Sequence, residues 1–355
     1  MHKLSRLFLH LHLELIVRSG LILLALLLPA EPGIVLGADS QIMPLAVKSL
    51  LLDGQVVGDR IVVVGERGHI LISEDQGVSW QQQQVPTRTT LTSVFFVDPA
   101  NGWAAGHDGI ILQTGDGGRH WQQVYSDPQH EQAILDLWFS DLENGYAVGA
   151  YGLFLVTEDG GASWQPLDFD PATLGTDGTN PDTEEDASIE ESWGIDFHLN
   201  QMTATATGRI FVAAEAGNLY RSDDGGRSWL SLPSPYEGSF YGTLSLAQGT
   251  VLAFGLRGHL FRTEDAGNTW TAVQTGTQAT LNDGILLADG RIALAGLAGA
   301  LLLSEDNGLS FQLHAQADRA GIAKVLQAGD GTLVLIGEKG ARRLALPGKG
   351  KGAGQ

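Results

Sequence analysis

The sequence predicts an all-β chain folded as a seven-bladed β-propeller with Asp-box turns, and three observations carry that expectation. Glycine is abundant, 47 of 355 residues, and a Gly inside a helix costs about 1 kcal/mol relative to Ala, so long helices are disfavoured. One pattern, S/T-x-D-x-G-x-x-W, recurs six times. A second, Gly-x-x-Gly between apolar runs, recurs seven times at nearly the same step. A repeat near 41 residues is the length of one four-stranded propeller blade.

The boxes read Ser73 to Trp80, Thr114 to Trp121, Thr157 to Trp164, Ser222 to Trp229, Thr263 to Trp270 and Ser304 to Phe311. Their closing aromatics are 41, 43, 65, 41 and 41 residues apart. Each is preceded by a hairpin signal: Gly65 to Gly68, Gly106 to Gly109, Gly149 to Gly152, Ala214 to Gly217, Gly255 to Gly258 and Gly296 to Gly299. Gly337 to Gly340 is a seventh hairpin without a box behind it. Tight hairpins favour Gly because their turns need positive φ. In one full repeat, Leu91 to Val97 is an inner strand, Trp103 to Gly106 a second, Ile110 to Thr114 a third and Trp121 to Val124 a fourth. The blades are expected at about 46–85, 91–124, 133–167, 193–232, 239–273, 280–314 and 321–346. The last lacks a fourth strand, and residues 39–45 are expected to supply it and close the ring, protecting an open edge.

Residues 1–38 differ from the repeat. Lys3, Arg6 and Arg18 precede an apolar run from Leu21 to Leu28, and small residues follow at Gly37 and Ala38. That is the build of a secretory signal, or of an uncleaved N-terminal anchor, and either predicts export to a periplasm or lumen-like compartment. The propeller domain is expected over 39–346 and a flexible basic tail over 347–355. The 65-residue step implies an insertion of about 24 residues, placed at 168–192, whose nine Asp and Glu face no Lys or Arg. It is expected to be a flexible acidic loop.

Composition excludes several chemistries. The absence of Cys removes disulfides, thiolate nucleophiles and Cys-based metal sites. A formal charge of −20 argues against nucleic acid, which needs phosphate-neutralising cations. The His residues show no metal spacing, so no metal and no cofactor is expected.

The box aspartates Asp75, Asp116, Asp159, Asp224, Asp265 and Asp306 sit in six different blades and cannot converge on one ion. They are expected to be structural: each carboxylate accepts backbone N–H bonds within its turn, while Trp80, Trp121, Trp164, Trp229 and Trp270 cover the turns. The partner-binding face is expected on the opposite rim, where hairpins and blade links meet. There the second variable hairpin residues form a ring, Arg67, Asp108, Tyr151, Ala216, Arg257, Ala298 and Lys339, and the links add Arg88, His130, Tyr236, Phe240 and Tyr241. Arg and aromatic residues are what protein-binding patches favour.

The Asp box is shared by sialidases and related propellers. Together with the Gly-x-x-Gly hairpins and runs such as Leu91-Thr-Ser-Val-Phe-Phe followed by Asn101-Gly-Trp-Ala-Ala-Gly, the chain resembles the photosystem II stability and assembly factor family over residues 46–346. The resemblance implies an exported, noncatalytic, monomeric propeller that helps a membrane or envelope protein assemble by binding it. Association with the membrane would come through that partner or through an uncleaved N-terminus. The alternative is a sialidase-like glycoside hydrolase or a carbohydrate-binding propeller. Against it, the Arg-Ile-Pro signature of sialidases is missing, since Arg60-Ile61 is followed by Val62.

Overall fold

The structure is a computed structural model, and it describes residues 38–173 and 197–348. Seven sheets follow one another along the chain, antiparallel except for one added edge strand in blade 4. Blade 2 shows the pattern: Leu91–Phe96, Gly102–Gly106, Ile111–Thr114 and Gln122–Tyr125, paired in that order. In six blades the second strand is buried along its whole length, as Ile292–Gly296 is, and in blade 1 Arg60–Gly65 is buried beyond its first residue. Its two faces serve two neighbours. Val62 and Val64 join the cluster shared with blade 2, while Ile61 and Val63 join the one shared with blade 7. Seven apolar clusters fill the seven blade interfaces, so the core is a ring of side chains between sheets. Among the described residues no helix is long and apolar enough to cross a membrane.

Each box turn is self-contained. In the fourth, the Ser222 hydroxyl donates to Asp224 Oδ1 at 2.8 Å and accepts the Gly226 N–H at 2.7 Å, while Asp224 accepts the Ser228 N–H and hydroxyl at 2.9 and 2.6 Å. Gly226 lies at φ 94, which L side chains avoid. Burial pushes the Asp224 carboxyl up, but the Ser228 and Ser222 hydrogen bonds outweigh it and hold it at about 2. In the second box His120 replaces the closing serine, with Nδ1 2.6 Å from Asp116 Oδ2. Trp121, Trp164 and Trp229 are buried over their turns, and Trp80 and Trp270 are partly so.

The turns also clasp the preceding blade. Trp103 Nε1 donates to the Gly160 carbonyl at 3.1 Å, the Tyr146 hydroxyl to Gly225 at 2.8 Å, Arg221 Nη1 to Ala266 at 2.7 Å and Arg262 Nε to Asn307 at 3.1 Å. These box hydrogen bonds end within the fold itself.

Two sequence expectations are corrected. Residues 39–45 do not complete blade 7, whose sheet stops at three strands: Ile322–Gln327, Leu333–Gly337 and Gly340–Leu344. Instead the Ser40 N–H donates to the Val85 carbonyl at 2.8 Å and the Met43 N–H to Gln82 Oε1 at 2.8 Å, so this stretch lies against blade 1. Arg88 Nε anchors its start by donating to the Asp39 carbonyl at 2.8 Å. The ring closes by direct packing of blade 7 on blade 1, with the Gly329 N–H donating to Gln76 Oε1 at 2.6 Å.

Nor is the insertion a loop from its first residue. Ala172–Thr173 pairs in parallel with Leu230–Ser231 and gives blade 4 a fifth strand. Phe169 explains it. That ring is buried against Phe154, Tyr220 and Trp229, supplying apolar area that the acidic composition conceals. Positions 174–192 of the expected loop, residues 1–37 of the expected leader and 349–355 of the tail lie outside the described residues. The tail's start is fixed, because the Pro347 carbonyl accepts from Arg291 Nη1 at 2.6 Å.

Candidate functional site

Hairpins and blade links meet on one rim, and the contact explains the repeat's glycines. Asp108 and Gly109 lie at φ 57 and 58, and the Ile110 N–H donates to the His107 carbonyl, a type I′ turn. Positive φ thus explains the second glycine but not the first: Gly106 is extended at φ −174. A Cβ there would sit 2.0 Å from the Thr90 carbonyl oxygen, so close backbone approach excludes a side chain. The tip residues Arg67, Tyr151, Ala216, Arg257 and Ala298 share the left-handed conformation of Asp108. Lys339 does not, because Gly337 pairs directly with Gly340 in a shorter turn.

The expected rim residues divide into two groups. Tyr151 is 61% exposed at φ 53 and meets the His198 ring edge-on at 5.1 Å. His198 Nδ1 lies 3.6 Å from Glu215, and Glu215 adds to the burial that pushes the Tyr241 hydroxyl up. Tyr236 and Tyr241 are half-buried, and Tyr236 stacks on exposed His259 at 4.1 Å beside Arg257. This aromatic sector spans blades 3 to 5. The second group is cationic and sits on blades 7 and 1: Lys339, 3.5 Å from Asp318, with Arg67 and Arg88. Asp108, beside them on blade 2, accepts from the Thr89 hydroxyl at 3.0 Å. Arg67 and Arg257 are exposed and pair with no described residue, but they stand three blades apart around the ring rather than in one patch.

A second site was missed at the sequence level. After a bulge in its inner strand, each blade places one residue at the same register: Asp53, Ser93, Asp136, Gln201, Gly242, Asp283 and Lys324. Their spacing repeats the blade step, yet no residue type recurs often enough to form a motif. Five of them, Asp53, Asp136, Gln201, Asp283 and Lys324, line an axial cavity of roughly 560 Å³ whose walls include Phe95, Trp138, Ile285 and Leu326. All but Gly242 reach the next blade. Asp53 accepts the Val94 N–H at 2.8 Å, Asp136 the Met202 N–H at 2.7 Å, Gln201 the Thr243 N–H at 2.7 Å and Asp283 the Val325 N–H at 2.9 Å. Lys324 Nζ closes the ring, 3.1 Å from Asp53 and 3.4 Å from Asp283.

Inner strands have no ladder partner on their axial side, so these side chains satisfy otherwise orphaned N–H groups. Among the described residues no arginine lines the cavity. Among the described residues no group of three or more His, Asp or Glu is gathered to hold a metal.

Burial pushes the Asp136 carboxyl up to about 7, reinforced by Asp53 and opposed by the Met202 N–H, Lys324 and the Ser93 hydroxyl. A carboxyl raised above its unfolded value, roughly 4, favours folding when protonated. That contribution is full below pH about 4 and is lost as pH rises through about 7. Asp136→Asn keeps an acceptor for Met202 and removes the titration. Thermal denaturation from pH 4 to 8 should show the parent losing ground to the variant as pH rises; parallel curves would contradict the assignment.

The family description "Photosynthesis system II assembly factor YCF48" matches residues 40–130, 72–175 and 124–286, together more than half of the chain. The chain belongs to this family. Ycf48-type relatives match locally. The photosystem II assembly protein Ycf48 of Synechococcus sp. (strain JA-3-3Ab) is 43% identical over 47 residues, 13% of this chain and 14% of that protein. A solved structure titled "YCF48 bound to D1 peptide" superposes with a TM-score of 0.66 at 18% identity, covering 88% of this chain and all of that one. The propeller is not unique to the family: the xyloglucanase of Xanthomonas campestris superposes at 0.62 with 12% identity, covering 85% of this chain and 52% of that one. Such low identities show the fold alone.

Proposed function

We propose that this member of the Ycf48 family is an exported, noncatalytic propeller that binds a membrane or envelope protein during assembly of its complex. Its docking face is the hairpin rim. The observation that carries this reading is Tyr151, an aromatic ring 61% exposed and held in the left-handed region by its hairpin. A bulky residue at positive φ costs about 1 kcal/mol or more and persists where the fold imposes it. His198, Tyr236, His259 and Arg257 extend the same sector, giving the aromatic and Arg composition of binding surfaces. The family supports a protein partner, and a solved relative holds a D1 peptide. The leader-like residues 1–38 support delivery to a periplasm or lumen-like compartment.

The noncatalytic reading is supported by the axial cavity, whose carboxylates each accept an N–H from a neighbouring blade and beside which, among the described residues, no arginine stands.

Substituting Arg67, Tyr151 and Arg257 together with alanine should reduce recovery of the partner from solubilised host membranes by about tenfold or more. Because the three stand on blades 1, 3 and 5, each single variant also locates the footprint. Unchanged recovery with the triple variant would remove the rim as the docking face.

A further inference from the structure

Blade 7 leaves a strand edge open. In the other six blades a fourth strand covers the third, as Gln122–Tyr125 covers Ile111–Thr114. In blade 7 nothing described pairs with the far side of Gly340–Leu344. The chain beyond it is committed elsewhere: Leu346 packs between blades 6 and 7, and the Pro347 carbonyl accepts from Arg291 of blade 6. The N-terminal stretch is committed to blade 1. Alternation from the Gly337–Gly340 closing pair points the N–H groups of Ala341 and Arg343 away from the second strand. A row of unpaired backbone groups is a template for another strand.

The charge around this edge is specific. Arg342 pairs with Asp318 at 2.6 Å, Lys339 lies 3.5 Å from the same carboxylate, and Arg343 pairs with Asp330. Three cations thus share two carboxylates, and the exposed Lys48 lies in the 3-10 turn Ala46–Lys48 that abuts the strand. Just before that turn, Ile42, Met43 and Leu45 are 59%, 38% and 63% exposed, an apolar run beside a basic edge on a protein of charge −20. A second copy is a poor occupant, since antiparallel pairing of two such edges brings like charges of Arg342 and Arg343 together.

We propose that this edge accepts an extended, acidic segment of a partner protein, which enters as the fourth strand of blade 7. The other blades' fourth strands are two to four residues long, so a short segment suffices, with its acids on the face of Arg342 and its apolar side chains on the opposite face, which Ala341 shares. The proposal rests on the protein-binding reading but uses a surface separate from the tips of blades 3 to 5.

The test uses the propeller with two eight-residue peptides, one alternating valine with glutamate and the other valine with lysine. Backbone hydrogen exchange is read at residues 340–344. The glutamate peptide should slow exchange at Ala341 and Arg343 by about tenfold at saturation, with the lysine peptide leaving it unchanged. In Arg342→Glu/Arg343→Glu the preference should reverse. No slowing by either peptide, or equal slowing by both, would overturn the proposal. So would protection that grows with protein concentration alone, which would assign the edge to a second copy. If these results fail while the rim variant still loses its partner, only the edge is refuted.

Discussion

Replacing Lys324 with methionine should destabilise the propeller by about 3 kcal/mol, at the lower end of what a broken buried ion pair costs. Asp53 and Asp283 are both buried and both face the ammonium group, at 3.1 and 3.4 Å. Without it, two carboxylates share the axial cavity uncompensated. The cavity screens them partly, because the Lys324 side chain is 27% exposed. Their hydrogen bonds to Val94 and Val325 keep both groups in place, so they cannot turn away to water. Urea denaturation of the parent, Lys324→Met and Lys324→Met with Asp53→Asn and Asp283→Asn would measure it. The triple variant should recover most of the loss. A loss below about 0.5 kcal/mol in the single variant would show that the ring carries little of the fold's stability.

Trp103→Ala should cost about 4 kcal/mol, the scale of emptying a buried aromatic site. Trp103 is 1% exposed, stacks on Phe139 with centroids 3.6 Å apart, and donates to the Gly160 carbonyl in the next blade's box. Trp103→Phe preserves much of the stacking and should lose roughly half as much. A Trp103→Ala variant that melts with the parent would mean that blades 2 and 3 are held by other contacts.

The sequence carries the fold because the two repeated elements are turn chemistry with strict local demands. Box residues such as Ser222, Asp224 and Gly226 satisfy one another within a few positions, so the motif survives in every blade that has it. The axial ring obeys no such local rule. Asp53, Gln201 and Lys324 share a register and a direction, but each is chosen by its neighbour in the next blade, and only the repeat step could have pointed to it. The same reasoning explains the misplaced closure. The absence of a seventh box is visible in the sequence, whereas the attachment of Ser40 to Val85 depends on a contact between distant segments. Phe169 was hidden among acids, and its burial became visible only against Tyr220 and Trp229. At the rim, spacing placed Arg67, Tyr151 and Arg257 on one end of the propeller. It did not show that Lys339, Arg67 and Arg88 gather on blades 7 and 1 while the aromatics, with Arg257, lie on blades 3 to 5.

On the proposed function, the hairpin rim and not the box rim meets the partner. Site-specific photocrosslinking in the host tests it most directly, with a benzophenone amino acid placed at Tyr151 or Arg257 on one rim and at Arg119 or Glu264 on the other. Both box-rim controls are well exposed, with side chains 53% and 69% accessible. A membrane-protein adduct formed from Tyr151 and Arg257 alone is the predicted result. Adducts confined to Arg119 and Glu264, or formed equally from both rims, would contradict it.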